Sequence, residues 1–137
     1  MGTFGRWASR QEQILEARDA ADIVCVQNRY NIAERDDDPL IDDLARKGIA
    51  YVPFWPLGGI SPLGSATLSG VASRVRAPPL QVAQAWLLHR SPNVLLIPGT
   101  SSVSHVRENL AAGALTLSPE DLVAQDGIAP RRQGSSR

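Results

Sequence analysis

The chain has 137 residues, one domain's worth, enough to bury roughly two thirds of the surface that its unfolded form exposes. Fourteen basic and fourteen acidic residues give a formal charge of zero, so bulk electrostatics point to neither a nucleic acid nor a membrane surface, and small neutral or locally anionic ligands fit better. The single cysteine, Cys25, excludes an intrachain disulfide and any cysteine metal cluster; residues 1–10 hold no apolar signal core and no window reaches transmembrane length, so a cytoplasmic protein is expected.

Residues 1–8 do not read as a strand and stand apart as an atypical segment. Ser9, Arg10, Gln11 and Glu12 form a capping box that opens a helix through about Ala20, and Ile23 to Gln27 follows as a strand. Asp38 and Pro39 supply an N-cap and first helical position for Leu40 to Lys47; Gly48 ends that helix, and Ile49 to Phe54 is the next strand. Gly58 to Pro78 is rich in Gly, Ser, Pro and Arg and reads as a loop with room for a short helix. Pro79 opens a helix whose body, Leu80 to His89, is apolar nearly all round and therefore buried, and Val94 to Ile97 reads as a third strand. A helix from Val103 to about Ala112 is stopped by Gly113. The capping box Ser118, Pro119, Glu120 and Asp121 opens the last helix, and residues 131–137 form a frayed tail.

Strands separated by helices run parallel with right-handed crossovers, and such sheets bury both faces, with Cys25 a buried small hydrophobe between Val24 and Val26. The fold class is α/β. Ligands of parallel sheets collect at the carboxyl ends of the strands, so the candidates are Gln27 to Asn31, Phe54 to Gly59 and Gly99 to Ser102. In the last of these, an apolar run stops at Pro98 and Gly99, passes through small hydroxyl residues and enters a helix by its positive end. That is a place to hold a phosphate.

Val24 to Asn31, Val52 to Gly58 and Ile97 to Ser102, together with Glu108, Asn109, the helix carrying Ala85, Trp86, Leu87 and Leu88, and Leu117 to Leu122, resemble the aldo-keto reductase family. Their order and spacing are similar to its carboxyl-terminal half over about Gln11 to Pro130. The resemblance implies part of a (β/α)8 barrel with about three parallel strands and their covering helices, its body at residues 9–130. It further implies binding of NADP(H), with NAD(H) as the alternative. Gln27 then resembles the amide that bonds the nicotinamide carboxamide, and Phe54 the aromatic lying flat on the nicotinamide ring. Trp55, Pro56 and Leu57 resemble the stretch along the pyrophosphate, with Gly58 and Gly59 allowing close approach. Gly99, Thr100 and His105 fall where the family grips the adenosine 2′-phosphate, and Glu108 and Asn109 where it reaches the adenine. Many members carry lysine near Gly99 and arginine near His105, so the charge-assisted bonds that favour NADP are weaker here, with Arg107 a spare cation.

The family's hydride transfer to a carbonyl uses a tyrosine, a lysine, an aspartate and usually a histidine from the amino-terminal half. The one lysine, Lys47, sits between a helix end and a strand start, at the wrong face of the sheet, and Tyr51 starts a strand at that same face. Tyr30 has no lysine beside it and reads as loop packing, so no catalytic residue is nominated. Gly5 to Ala8 departs from the family's Gly-x-Ser-Asn strand end, and the pattern is entered only near Ser9, as in a truncated reading frame or an evolved fragment. The expectation is the cofactor-binding half of an oxidoreductase, inactive alone and paired with itself or with a complementing amino-terminal half. The alternative is a non-catalytic remnant serving as a nucleotide-binding or protein-interaction module.

Overall fold

A computed structural model describes residues 4–7, 11–54 and 66–128. In chain order these form β1 (Phe4–Trp7), α1 (Gln11–Ala20), β2 (Ile23–Arg29), α2 (Asp38–Arg46), β3 (Ala50–Phe54), α3 (Ala66–Val75), α4 (Pro79–Arg90), α5 (Val103–Ala112) and α6 (Pro119–Asp126). The strands make a parallel sheet in the order β1-β2-β3, with Gln27 opposite both Trp7 and Val52, and Arg29 opposite Phe54. The architecture is the expected α/β arrangement of parallel strands and covering helices.

Local signals explain most helix ends. Gly48 takes φ +65°, the left-handed conformation that closes α2 without a Cβ penalty. Pro79 and Pro119 sit at the first positions of α4 and α6, and the Ser118 hydroxyl accepts from the Asp121 N–H at 3.1 Å. The N-cap of α2 is Asp37 rather than Asp38, because the carbonyl of Asp37 accepts the first helical bond, from the Ile41 N–H at 2.9 Å. Helix α3 fills the stretch expected to be mainly loop, and its Arg74 pairs with Asp121 to tie it to α6. As its apolar circumference predicts, α4 buries six consecutive residues, Val82 to Leu87.

Two strand expectations need correction. Phe4–Trp7 is a strand paired in parallel with β2, although its short sequence carries no apolar run to announce it. Conversely, Val94 to Ile97 forms only an isolated parallel bridge, Tyr51 to Val94, held by Tyr51 N–H to Asn93 O at 2.8 Å and Leu95 N–H to Tyr51 O at 2.9 Å. The next rung would need an N–H from residue 53, which is proline, so the ladder stops there.

Burial is also one-sided. Val26, Asn28, Tyr30, Tyr51 and Pro53 are buried, whereas Cys25, Gln27, Val52 and Phe54, which alternate with them, are half-exposed. Cys25 is therefore not a core residue. The core lies between the first face and the helices, around Trp86, Tyr30, Tyr51, Ile41, Leu44 and Leu68.

Candidate cofactor site

Register and alternation place Gln27 and Phe54 on the same half-exposed face, Phe54 closing β3 and Gln27 two residues short of the end of β2, which runs on to Arg29 instead of stopping at Gln27 as expected. The Gln27 side chain bonds to no described residue, so its donor and acceptor are both available to a ligand. Trp55, Pro56, Leu57, Gly58 and Gly59, the expected pyrophosphate stretch, lie outside the described residues, as do Ser9 and Arg10 of the first capping box and the tail at 131–137.

The second group lies beyond the Val94 bridge. Thr100 Oγ1 accepts from the Ser102 N–H at 3.1 Å and stands 3.5 Å from His105 Nδ1, while the Ser102 and Ser104 hydroxyls bond to each other at 2.7 Å. Neither serine hydroxyl caps α5, whose first-turn N–H groups therefore point outward with the positive end of the helix dipole. A Cβ built on Gly99 meets nothing within 4 Å, so the backbone there is open to an approaching group. His105, Arg107 and Glu108 are exposed on α5. Asn109 is half-buried and accepts, through Oδ1, a bond from Gln84 Nε2 at 2.7 Å. The structure thus holds the expected residues in two groups, Gln27 with Phe54 and Gly99 through Asn109, tied by the backbone bridge between Tyr51 and Val94.

Sequence reasoning missed what lies behind the sheet. The Tyr30 hydroxyl donates to Asp38, its ring stacks on Trp86 with centroids 6.2 Å apart, and it meets Tyr51 edge-on at 5.8 Å. Tyr51 donates to Asp37 at 2.7 Å, as does the Asn28 amide. Arg90 bonds Asp38 at 3.1 Å, and Arg35 pairs with Asp38 at 2.8 Å while lying 5.2 Å from the Trp86 ring centroid. Burial, then the Asp38 bond, pushes the Tyr30 hydroxyl well above its ordinary pKa, and burial with the nearby Asp37 charge does the same to Tyr51. Burial raises Asp38, but the bonds from Tyr30, Arg35 and Arg90 outweigh it and hold the carboxyl below the usual range. Both phenols are thus locked as neutral donors to carboxylates. Lys47 is paired with Asp43 at the end of α2. Among the described residues no group of His, Cys, Asp and Glu could hold a metal.

The sequence profile of the Aldo/keto reductase family matches residues 4–129. The chain belongs to that family. The match begins at β1, earlier than the Ser9 boundary expected from sequence. The chain is 66% identical over 116 residues to pyridoxine 4-dehydrogenase of Escherichia coli, covering 85% of this chain and 41% of that protein. It superposes on a thermostable aldo-keto reductase solved with the inhibitor epalrestat at TM-score 0.82 and 32% identity, covering 91% of this chain and 47% of the other. A second structure, the Asp-to-Ala mutant of Gox0644 solved with NADPH, is 20% identical at TM-score 0.79, covering 91% of this chain and 46% of the other. The chain therefore spans less than half the length of these proteins, as part of their barrel fold. No described helix is long and apolar enough to cross a membrane.

Proposed function

We propose that this chain is the cofactor-binding, carboxyl-terminal half of an NADP(H)-dependent oxidoreductase that moves hydride between the nicotinamide and a carbonyl or alcohol carbon. The observation that carries this reading is an unspent amide, Gln27, and an aromatic ring, Phe54, on one face toward the carboxyl ends of adjacent parallel strands. The donor set fits the cofactor. An amide suits a carboxamide, a ring suits a flat heterocycle, and hydroxyls beside uncapped helix N–H groups suit a phosphate.

When bound, the nicotinamide supplies the hydride. Gln27 would hold the carboxamide, Phe54 would pack on the ring and keep water from it, and Trp55, Pro56 and Leu57 would bind the pyrophosphate. Gly99, Thr100 and His105 would hold the 2′-phosphate, with Glu108 and Asn109 at the adenine; weaker cationic character at Gly99 and His105 leaves NAD(H) as an alternative. The proton must come from elsewhere, because Tyr30 and Tyr51 are buried and bonded to carboxylates and Lys47 is held by Asp43. We infer that turnover needs a complementing amino-terminal half, and that the chain by itself binds cofactor without reducing a carbonyl.

Calorimetric titration of the folded chain with NADPH and with NADH tests this. Saturable NADPH binding, weakened by Gln27→Ala and by Phe54→Ala and unaccompanied by reduction of 4-nitrobenzaldehyde, is the expected result. A folded protein that binds neither dinucleotide would overturn the reading and favour a non-catalytic interaction module.

A further inference from the structure

In the buried run of α4 one side chain that is polar stands out: Gln84, 1% exposed. Together with Asn109 it lines a cavity of about 380 Å³ beneath α5, whose other lining residues include Leu88, Val94, Val106 and Leu110. Its Nε2 donates to Asn109 Oδ1 at 2.7 Å, and its own Oε1 accepts no bond among the described residues. A buried amide with half of its capacity unmet opposes folding, and an apolar side chain of the same length would pack here without that cost. What Gln84 adds is the bond to Asn109.

That bond has a chemical meaning because a primary amide has two unlike ends. With Oδ1 held by Gln84, the Nδ2 of Asn109 is left to donate, and Oδ1 keeps one lone pair. An amide fork so oriented matches the edge of adenine, where N7 accepts and the exocyclic amine donates. It clashes electrostatically with a 6-oxo purine, which presents an acceptor in place of that amine. We propose that Gln84 is a positioning residue that locks the Asn109 amide so that the site takes adenine dinucleotides and rejects their 6-oxo counterparts. This rests on the reading above that Asn109 faces the adenine. Without the lock, Asn109 can turn its NH2 toward the 6-oxo group and the distinction fades.

The test compares binding of NADPH with that of reduced nicotinamide hypoxanthine dinucleotide phosphate to the full chain. The wild-type protein should prefer NADPH by about tenfold. Gln84→Leu, and Gln84→Met as a second variant of similar length, should fold, bind both dinucleotides and narrow the preference to about twofold. A merely structural role for Gln84 would weaken both dinucleotides alike and leave the ratio unchanged. Asn109→Ser, on the half-exposed partner, gives an arm independent of the buried position and should also erase the preference. An unchanged ratio in the Gln84 variants, or equal binding of the two dinucleotides by the wild type, overturns the inference while leaving cofactor binding intact. Failure of the folded wild type to bind NADPH at all is a different result, which removes the functional reading and this inference with it.

Discussion

The two faces of one small sheet are built on opposite terms. Toward the helices, every polar tip among Tyr30, Tyr51, Asn28 and Trp86 is bonded, to Asp38, Asp37, Asp37 and Asp126 respectively. On the other face the Gln27 side chain bonds to no described residue, and Phe54 and Val52 stay half-exposed. The closed face spends its hydrogen-bonding capacity on holding itself together, whereas on the open face Arg29 is paired with Glu34 and the Gln27 amide is left without a bond to any described residue. Damage to the first should therefore appear as lost stability, and damage to the second as lost binding.

The largest expected effect lies on the closed face. Trp86 is 2% exposed, stacks on Tyr30, donates to Asp126 at 3.0 Å and supports the Arg35 guanidinium, so Trp86→Ala removes a large side chain from a site that cannot collapse freely. A loss of about 3–5 kcal/mol is expected by urea denaturation. A loss below about 1 kcal/mol would show that the helices pack on the sheet without it.

Tyr30→Phe is expected to cost about 1–2 kcal/mol, because it withdraws one donor from Asp38 while Arg35 and Arg90 remain. It also changes the pH profile. The raised hydroxyls of Tyr30 and Tyr51 favour folding fully below about pH 10 and lose that contribution as pH rises above it, where the unfolded phenols ionise and the folded ones resist. The depressed Asp38 acts at the other end: its contribution is present above about pH 4 and lost as pH falls through its lower folded value. Urea midpoints between pH 9 and 11 should fall less steeply for Tyr30→Phe and Tyr51→Phe than for wild type.

What the sequence made legible follows the range of the signals. Pro39, Pro79, Pro119, Gly48 and Gly113 act on their own turns, and the helices they bound are where they were expected. The fate of Val94 to Ile97 was written elsewhere, at Pro53, whose missing N–H ends the ladder; a donor absent from a neighbouring strand leaves no mark on the segment it fails to pair. Phe4–Trp7 is a strand because β2 offers it an edge, a tertiary reason that four residues cannot display. Phe54 was legible because a strand's end places it, whereas β2 runs two residues past Gln27, and strand alternation puts that amide on the same face as Phe54. The Gln84 bond to Asn109 joins two helices, and its only sequence trace is a single amide inside the otherwise apolar run Val82 to Leu87.

Gln27→Ala sharpens the comparison from the open side. With no bond among described residues to lose and a half-exposed position, it should change stability by no more than about 0.5 kcal/mol. NADPH affinity should nevertheless fall about tenfold, the worth of an amide pair in a partly buried site. Loss of stability with unchanged affinity would invert the assignment of the two faces.

The smallest effect is expected at His105, which is exposed and whose Nδ1 stands 3.5 Å from Thr100 Oγ1, too far for a strong bond. His105→Ala should leave the urea midpoint unchanged and lower affinity for NADPH about threefold while sparing NADH, since one imidazole donor to a solvated phosphate is worth only a few tenths to about 1 kcal/mol. The complementary change, His105→Arg, supplies a bidentate cation and should raise NADPH affinity by more than the alanine change lowers it. If both variants move NADPH and NADH equally, the start of α5 does not read the 2′-phosphate, and the hydroxyls and open backbone from Gly99 to Ser102 must hold the dinucleotide by another of its groups.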